Sequence, residues 1–398
     1  MTRAPRSSWL MGAAGRALAL AIALAVAPWN NALAQGATEV RARDMSEDIV
    51  RIPVTVSDRY QRSETRQMPI TIFRPPGAGP FPLVIYNHGR SVAAKRAQQT
   101  RSRPEALARY LVAKGFVVLA PTRIGYWETY GDFDPEDSGS CRQMQVEPMA
   151  KAASDQVLAT LAFARTLGYV DTSRWLVVGQ SVGGLTSVAT VARHPEGLLG
   201  GINFAGGTGG NPESSPGAPC SPEQISRQWS RIAGGASAPM LWLYWQNDLY
   251  WGEAIPKSWD QAWVGAGGKA EFHSLPPIKG QDGHTGVNTD MDHWLPLVDD
   301  FLQRLGFRAP AIVGRPAPTG FARLTDGSRV PVSASARDTG YLKNFLNAPK
   351  PRAFAVGERG AWGWAYGDYA TGRALGFCQR SGQSCKLYAV DEDVVWQP

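Results

Sequence analysis

Short apolar runs alternate with longer stretches of helical spacing from about residue 50 to residue 306. Runs rich in Val, Ile, Leu and aromatics predict strands at 50–56, 68–73, 83–87, 116–120, 175–179, 201–204, 240–244 and 271–275. Between them, 104–114, 148–167, 182–192, 222–232, 255–264 and 294–305 read as helices. Several of these have Pro at or near the start, where a missing N–H costs nothing. This alternation predicts parallel βαβ units and an α/β fold, with the active site on turns that follow the strands. A Pro- and Gly-rich stretch, 307–320, reads as a linker. Beyond it, 321–398 mixes strand-like pieces (353–356, 362–366, 386–390, 394–396) with one helical piece (370–378). That pattern predicts a small α+β module, too short to be a second enzyme core.

The chain opens differently. Arg3, Arg6 and Arg16 precede an apolar run, 17–28, and Ala32-Leu33-Ala34 offers small residues for cleavage before Gln35. This is the pattern of an export signal over 1–34, with the main domain expected over 35–306. The run is short for a transmembrane helix and no later run is long and apolar enough, so no stable membrane insertion is expected. Neither an Arg-Arg pair before the run nor a Cys before Cys141 supports twin-arginine export or lipid attachment. The expected location is periplasmic or secreted.

Composition narrows the class. With 43% hydrophobic residues, 14 Trp, 12 Tyr and 13 Phe, the chain can bury a large core and is not a disordered one. The formal charge of +7 includes three Arg in residues 1–34, leaving a mildly basic remainder. No Lys/Arg stripe with interleaved aromatics points to nucleic acid, and Arg90, Lys95, Arg96, Arg101 and Arg103 read as a solvated loop. Four cysteines in an exported chain argue for disulfides and permit three pairings. Cys378 and Cys385 stand close together in the C-terminal module, which leaves Cys141 for Cys220. No C-x-x-C spacing exists, so a zinc site is not expected. The acidic run Asp132, Asp134, Glu136, Asp137 lacks calcium-loop spacing and reads as a solvated loop.

The chemistry centres on G-Q-S-V-G-G at 179–184, an apolar strand running through a G-x-S-x-G turn into a helix. Small residues on either side let the backbone turn sharply and lift the Ser181 hydroxyl to a helix N-terminus, where N–H groups stabilise negative charge. A serine nucleophile needs a base, and in this architecture acid and His follow it in that order. His284 lies in the turn Gly280–Gly286 after the last strand, which makes it the expected general base, with His293 its rival. Asp248 ends the apolar run 240–245 at the matching edge and is the expected acid, with Asp282 the competitor. The oxyanion hole is expected from the N–H groups of Val182 and Arg90. Arg123, Tyr126 and Trp245 are the substrate-binding candidates; aromatics near strand ends also serve as rim or core packing.

The set N-H-G-R at 87–90, P-T-R-I-G-Y at 121–126, G-Q-S-V-G-G at 179–184, N-F-A-G-G at 203–207, L-W-L-Y-W-Q-N-D at 241–248 and D-G-H at 282–284 resembles the dienelactone hydrolase-related branch of the α/β-hydrolase superfamily. The resemblance covers roughly 48–306. It implies an eight-stranded, mostly parallel sheet flanked by helices and a triad that falls on Ser181, Asp248 and His284. Members proper use Cys as nucleophile, so Ser181 favours a general serine esterase over a dienelactone substrate. In such a sheet a Cys141–Cys220 bridge would tie two loops across the mouth of the cleft.

The expected function is therefore an exported serine hydrolase of small-molecule carboxylic esters that needs no cofactor or metal. A peptidase or acyltransferase would share the triad. A non-catalytic envelope-binding protein is the reading from another class, and the complete triad argues against it. The C-terminal module is expected to dock on the hydrolase domain or to bind an envelope component.

Overall fold

In the computed structural model, which describes residues 41–42, 45–307, 316–367, 369–380 and 383–398 apart from the side chains of residues 93 and 94, the apolar runs become one eight-stranded sheet. The expected export signal and residues 308–315 of the expected linker lie outside the described residues. The chain runs β1 (Asp48–Ser57), β2 (Ser63–Phe73), β3 (Phe81–Asn87), α1 (Ala93–Arg96), α2 (Glu105–Ala113), β4 (Val117–Pro121), α3 (Val146–Ala164) and β5 (Val170–Gln180). It continues through α4 (Val182–Val191), β6 (Leu198–Phe204), α5 (Pro222–Ile232), β7 (Met240–Trp245), α6 (Ala254–Gly265), β8 (Ala270–Leu275), α7 (Gly286–Thr289) and α8 (Met291–Arg304). The strand order is β1-β2-β4-β3-β5-β6-β7-β8. β1, β2 and β4 pair antiparallel and every other neighbour is parallel.

Both faces of the central strands are covered, which is why they read as unbroken apolar runs rather than alternating ones. Trp175, Val177, Trp242 and Tyr244 pack on one face with residues of α3, α4, α5 and α6. Their neighbours Leu176, Val178, Leu241, Leu243 and Trp245 pack on the other with residues of α2 and α8.

Several boundaries differ from the expected ones for local reasons. α3 begins at Val146, so Pro148 lies in its first turn, where a backbone donor has no helical partner anyway. β5 begins at Val170 rather than 175, because Phe81 and Pro82 pair with Val170 and Asp171 across a register shift.

The C-terminal segment forms a second sheet of β9 (Arg352–Gly357), β10 (Trp362–Tyr366), β11 (Cys385–Val390) and β12 (Asp393–Val394), in the order β10-β9-β11-β12, with α9 (Ala370–Gln379) against it. Its last strand is Asp393–Val394, one residue earlier and shorter than the 394–396 of the sequence reading. A π-helix, Ala336–Asn344, precedes the sheet. The described residues form one compact unit. α9 lies on α2 so closely that a Cβ at Gly376 would overlap the Ala106 methyl, and Arg373 pairs with Asp292 at the start of α8.

Both disulfides are present: Cys141–Cys220, and Cys378–Cys385 between α9 and β11. Cys141 follows β4 and Cys220 follows β6, the strands flanking β3 and β5, so the first bridge joins loops from opposite sides of the central pair.

Candidate active site

The turn between β5 and α4 places Ser181 at φ +59°, ψ −127°, a backbone region that side chains other than glycine's rarely occupy. Glycines make the turn possible. A Cβ at Gly179 would overlap the Gly183 carbonyl, one at Gly183 would overlap the Asn87 carbonyl, and one at Gly184 the Asn203 side chain. Ser181 is 5% exposed and sits at the N-terminus of α4, and Val182, the first helical residue, has no helical acceptor for its N–H.

His284 stands in a short 3-10 turn, Gly283–Thr285, after β8. Its Nδ1 is 3.0 Å from Asp248 Oδ2. The other Asp248 oxygen accepts from the N–H groups of Tyr250 (2.7 Å) and Trp251 (3.2 Å). A carboxylate fixed this way keeps the proton on Nδ1 and leaves the Nε2 lone pair open, the state a general base requires. Asp282, the competing acid, instead caps the turn: its Oδ1 accepts from the N–H groups of His284 and Leu249, each at 2.9 Å. His293 is more than half exposed and pairs with Asp290. Gln180, beside Ser181, donates through Nε2 to the His284 carbonyl at 3.1 Å and so ties the two turns together. Among the described residues Ser181 Oγ has no hydrogen bond to His284; such pairs often tighten only around substrate.

Strand order, a left-handed serine between β5 and α4, and an acid and a His after β7 and β8 settle the architecture. The fold is that of the α/β-hydrolases. No family model and no curated protein matches the chain. Among solved structures it is similar to a provisionally named dienelactone hydrolase from Klebsiella pneumoniae, at 20% identity over 64% of this chain and 99% of that one, with a TM-score of 0.42. It is also similar to esterase 2 of Thermogutta terrifontis (15%, 65% and 96%, 0.43). The dipeptidyl peptidase 4 of Porphyromonas gingivalis matches at 14% over 64% of this chain, which spans only 35% of that one, with a TM-score of 0.41. What the site can do must come from its own side chains.

The turn after β3 lies beside Ser181: a Cβ at Gly89 would be 3.1 Å from Ser181 Cβ. The Gly89 carbonyl is bonded to His88 Nδ1 (2.7 Å) and Gln99 Nε2 (3.1 Å). Because that carbonyl shares one planar trans peptide with the Arg90 N–H, holding the oxygen fixes the direction of the donor. His88 Nε2 accepts from the Arg123 N–H at 3.1 Å, so Nδ1 carries the proton.

Burial, followed by the charge of Arg123, pushes the His88 pKa well below 6.5. The unfolded chain therefore takes up this proton first as pH falls, and stability that is full above about 6.5 declines below it. Urea unfolding is expected to show a loss of about 1 kcal/mol between pH 7 and 5.5 from this group. The variant His88→Asn should have a flatter profile; an identical slope in both proteins would refute the assignment.

The arginine side chains are already committed. Arg90 donates to Asp134 (2.6 and 3.1 Å) and to the Tyr126 hydroxyl (3.1 Å), and Arg96 also pairs with Asp134. Arg123 and Glu136 form a pair with both side chains 0% exposed, and the Tyr126 hydroxyl donates to Glu136 at 2.6 Å. The acidic run read as solvated thus contributes one buried carboxylate, Glu136, and one half-buried, Asp134. Its burial favours the neutral acid, yet Arg90 and Arg96 hold Asp134 below its ordinary pKa. Arg96 and Arg101, read as part of a solvated loop, are likewise buried. Arg123 and Tyr126, proposed for substrate, lie fully buried behind the turn. Trp245 is 1% exposed beneath the His284 turn, where a Cβ at Gly283 or Gly286 would strike it.

Sequence reasoning missed the ring contacts of His284. Tyr250 stacks on His284 at 3.9 Å between centroids, and Trp251 meets it edge-on at 5.4 Å. Their position two and three residues after Asp248 was the available signal. Among the described residues, no cluster of His, Cys, Asp or Glu could hold a metal ion.

Proposed function

We propose that this chain is an exported serine hydrolase acting on carboxylic esters of small molecules. The observation that carries the reading is the buried Asp248–His284 pair, with Nε2 open, tied through Gln180 to the turn of Ser181. His284 Nε2 takes the proton of Ser181 as Oγ attacks the ester carbonyl. The oxyanion is met by the N–H groups of Val182 and Arg90. The C–O bond then breaks, the alcohol leaves with the proton from His284, and water activated by the same imidazole releases the acid.

Two disulfides support an oxidising compartment, in keeping with the signal pattern of residues 1–34. No helix among the described residues is long and apolar enough to cross a membrane. The contacts of α9 with α2 and α8 support docking as the role of the C-terminal module.

Treatment with a fluorophosphonate and peptide mapping by mass spectrometry is expected to place the label on Ser181, since an ordinary hydroxyl hardly reacts. Folded protein without label would favour the envelope-binding reading. A labelled protein that cleaves amides but not esters would favour a peptidase.

A further inference from the structure

Arg90 sits between two peptide planes, and the side chain of Gln99 grips both. Gln99, half-buried in the segment after α1, donates through Nε2 to the Gly89 carbonyl at 3.1 Å and accepts through Oε1 from the Ser91 N–H at 3.2 Å. The first bond holds the plane that carries the Arg90 N–H, and the second holds the plane that carries the Arg90 carbonyl. Only φ and ψ of Arg90 separate the two planes, so fixing both fixes the residue between them. The partners also dictate the chemistry of the grip, since a carbonyl takes only a donor and an N–H only an acceptor. An ionised Glu accepts without donating and Lys donates without accepting, whereas a primary amide does both.

Gln99 is itself anchored. Its N–H donates to the Arg96 carbonyl at 3.1 Å, and the Arg96 guanidinium pairs with Asp134, which also takes the Arg90 guanidinium. Backbone and side chain of Arg90 are thus held by one connected assembly. The Arg90 N–H has no partner among the described residues. On the other side of the turn there is no slack, for a Cβ at Gly89 would lie 2.9 Å from Gln180 Oε1 and 3.1 Å from Ser181 Cβ. A donor that is held firmly yet left unpaired suits a charge that appears only during reaction, because nothing has to reorganise to meet it. We propose that Gln99 is a positioning residue, whose amide presets the Arg90 N–H for the oxyanion formed when Ser181 attacks. It touches no reacting atom and acts through the peptide that it grips. This role rests on the serine-hydrolase reading and extends it to a side chain outside the triad and the turns that carry it.

Two variants of the full chain test it. Gln99→Met keeps the length and loses both bonds; Gln99→Glu keeps the acceptor for Ser91 and sets a carboxylate against the Gly89 carbonyl. With rates normalised to the sites that a fluorophosphonate titrates, each should lower kcat for a nitrophenyl ester by about tenfold or more, with KM within about twofold of the parent. Outright removal of one oxyanion donor costs about 10² to 10³ in kcat, which bounds the effect. A trifluoromethyl ketone, to whose carbonyl Ser181 Oγ adds while its proton passes to His284, forms a comparable oxyanion. Its affinity should fall by the same factor as kcat/KM. A residue that only stabilised the loop would reduce the number of titrated sites and leave both quantities per site unchanged. Either variant carries the test if the other melts early. In an active parent, unchanged kcat per site, a change in KM alone, or ketone affinity that does not follow kcat/KM would overturn the role of Gln99 and leave the triad standing. A parent that neither hydrolyses esters nor takes the label would overturn both.

Discussion

Ser181→Ala is expected to lower turnover of an activated ester by roughly 10⁴-fold or more, the loss typical when a nucleophile is removed from a triad that acts as a unit. The melting temperature should hardly move. Ser181 Oγ makes no hydrogen bond among the described residues, and Ala pays the same backbone strain at φ +59°. Ser181→Gly is the sharper companion: equally inactive, yet stabilised by on the order of 1 kcal/mol, because glycine alone occupies that region without strain. Initial rates with a nitrophenyl ester and thermal melts of the three proteins read both effects. Residual activity within tenfold of the parent would place the nucleophile elsewhere.

The second large effect concerns stability. Cys141 and Cys220 are 79 residues apart, so their bridge removes much of the freedom of the unfolded chain. In the chain-entropy account a loop of that size contributes about 4 to 5 kcal/mol, against about 2 to 3 for the seven-residue separation of Cys378 and Cys385. The double variant Cys141→Ser/Cys220→Ser should therefore unfold at a much lower urea concentration than Cys378→Ser/Cys385→Ser. Equal midpoints would mean that other contacts restrain the two loops, with the Arg123–Glu136 pair the first to test.

The central strands were legible because covered faces demand unbroken apolar runs, as in Leu241–Trp245. The first half of β5 was not: Asp171, Thr172, Ser173 and Arg174 look like a turn, and only pairing with Phe81 and Pro82 extends the strand. The π-helix Ala336–Asn344 shows no apolar periodicity; it rests on Gly340 lying against Trp362, a contact between distant residues. At the site, the order of Ser181, Asp248 and His284 could be read because each occupies a turn after a strand. The Gln180–His284 bond, the Tyr250 ring on the imidazole, the burial of Glu136 and the pairing of Asp134 with Arg90 could not. Each depends on how turns meet in space, and charged residues in a Gly- and Asp-rich stretch resemble a solvated loop until their partners are known.

The bridge between the loops after β4 and β6 also bears on how such a protein can change over generations. It fixes one meeting point of two long loops without prescribing the residues on either side. Doubling the length of a flexible loop costs only about 0.6 kcal/mol, so insertions there are far cheaper than changes at Gly183 or Asp248. Descendants of this chain can remodel what surrounds Ser181 by lengthening those loops, while the turns that hold Ser181, Asp248 and His284 stay where they are.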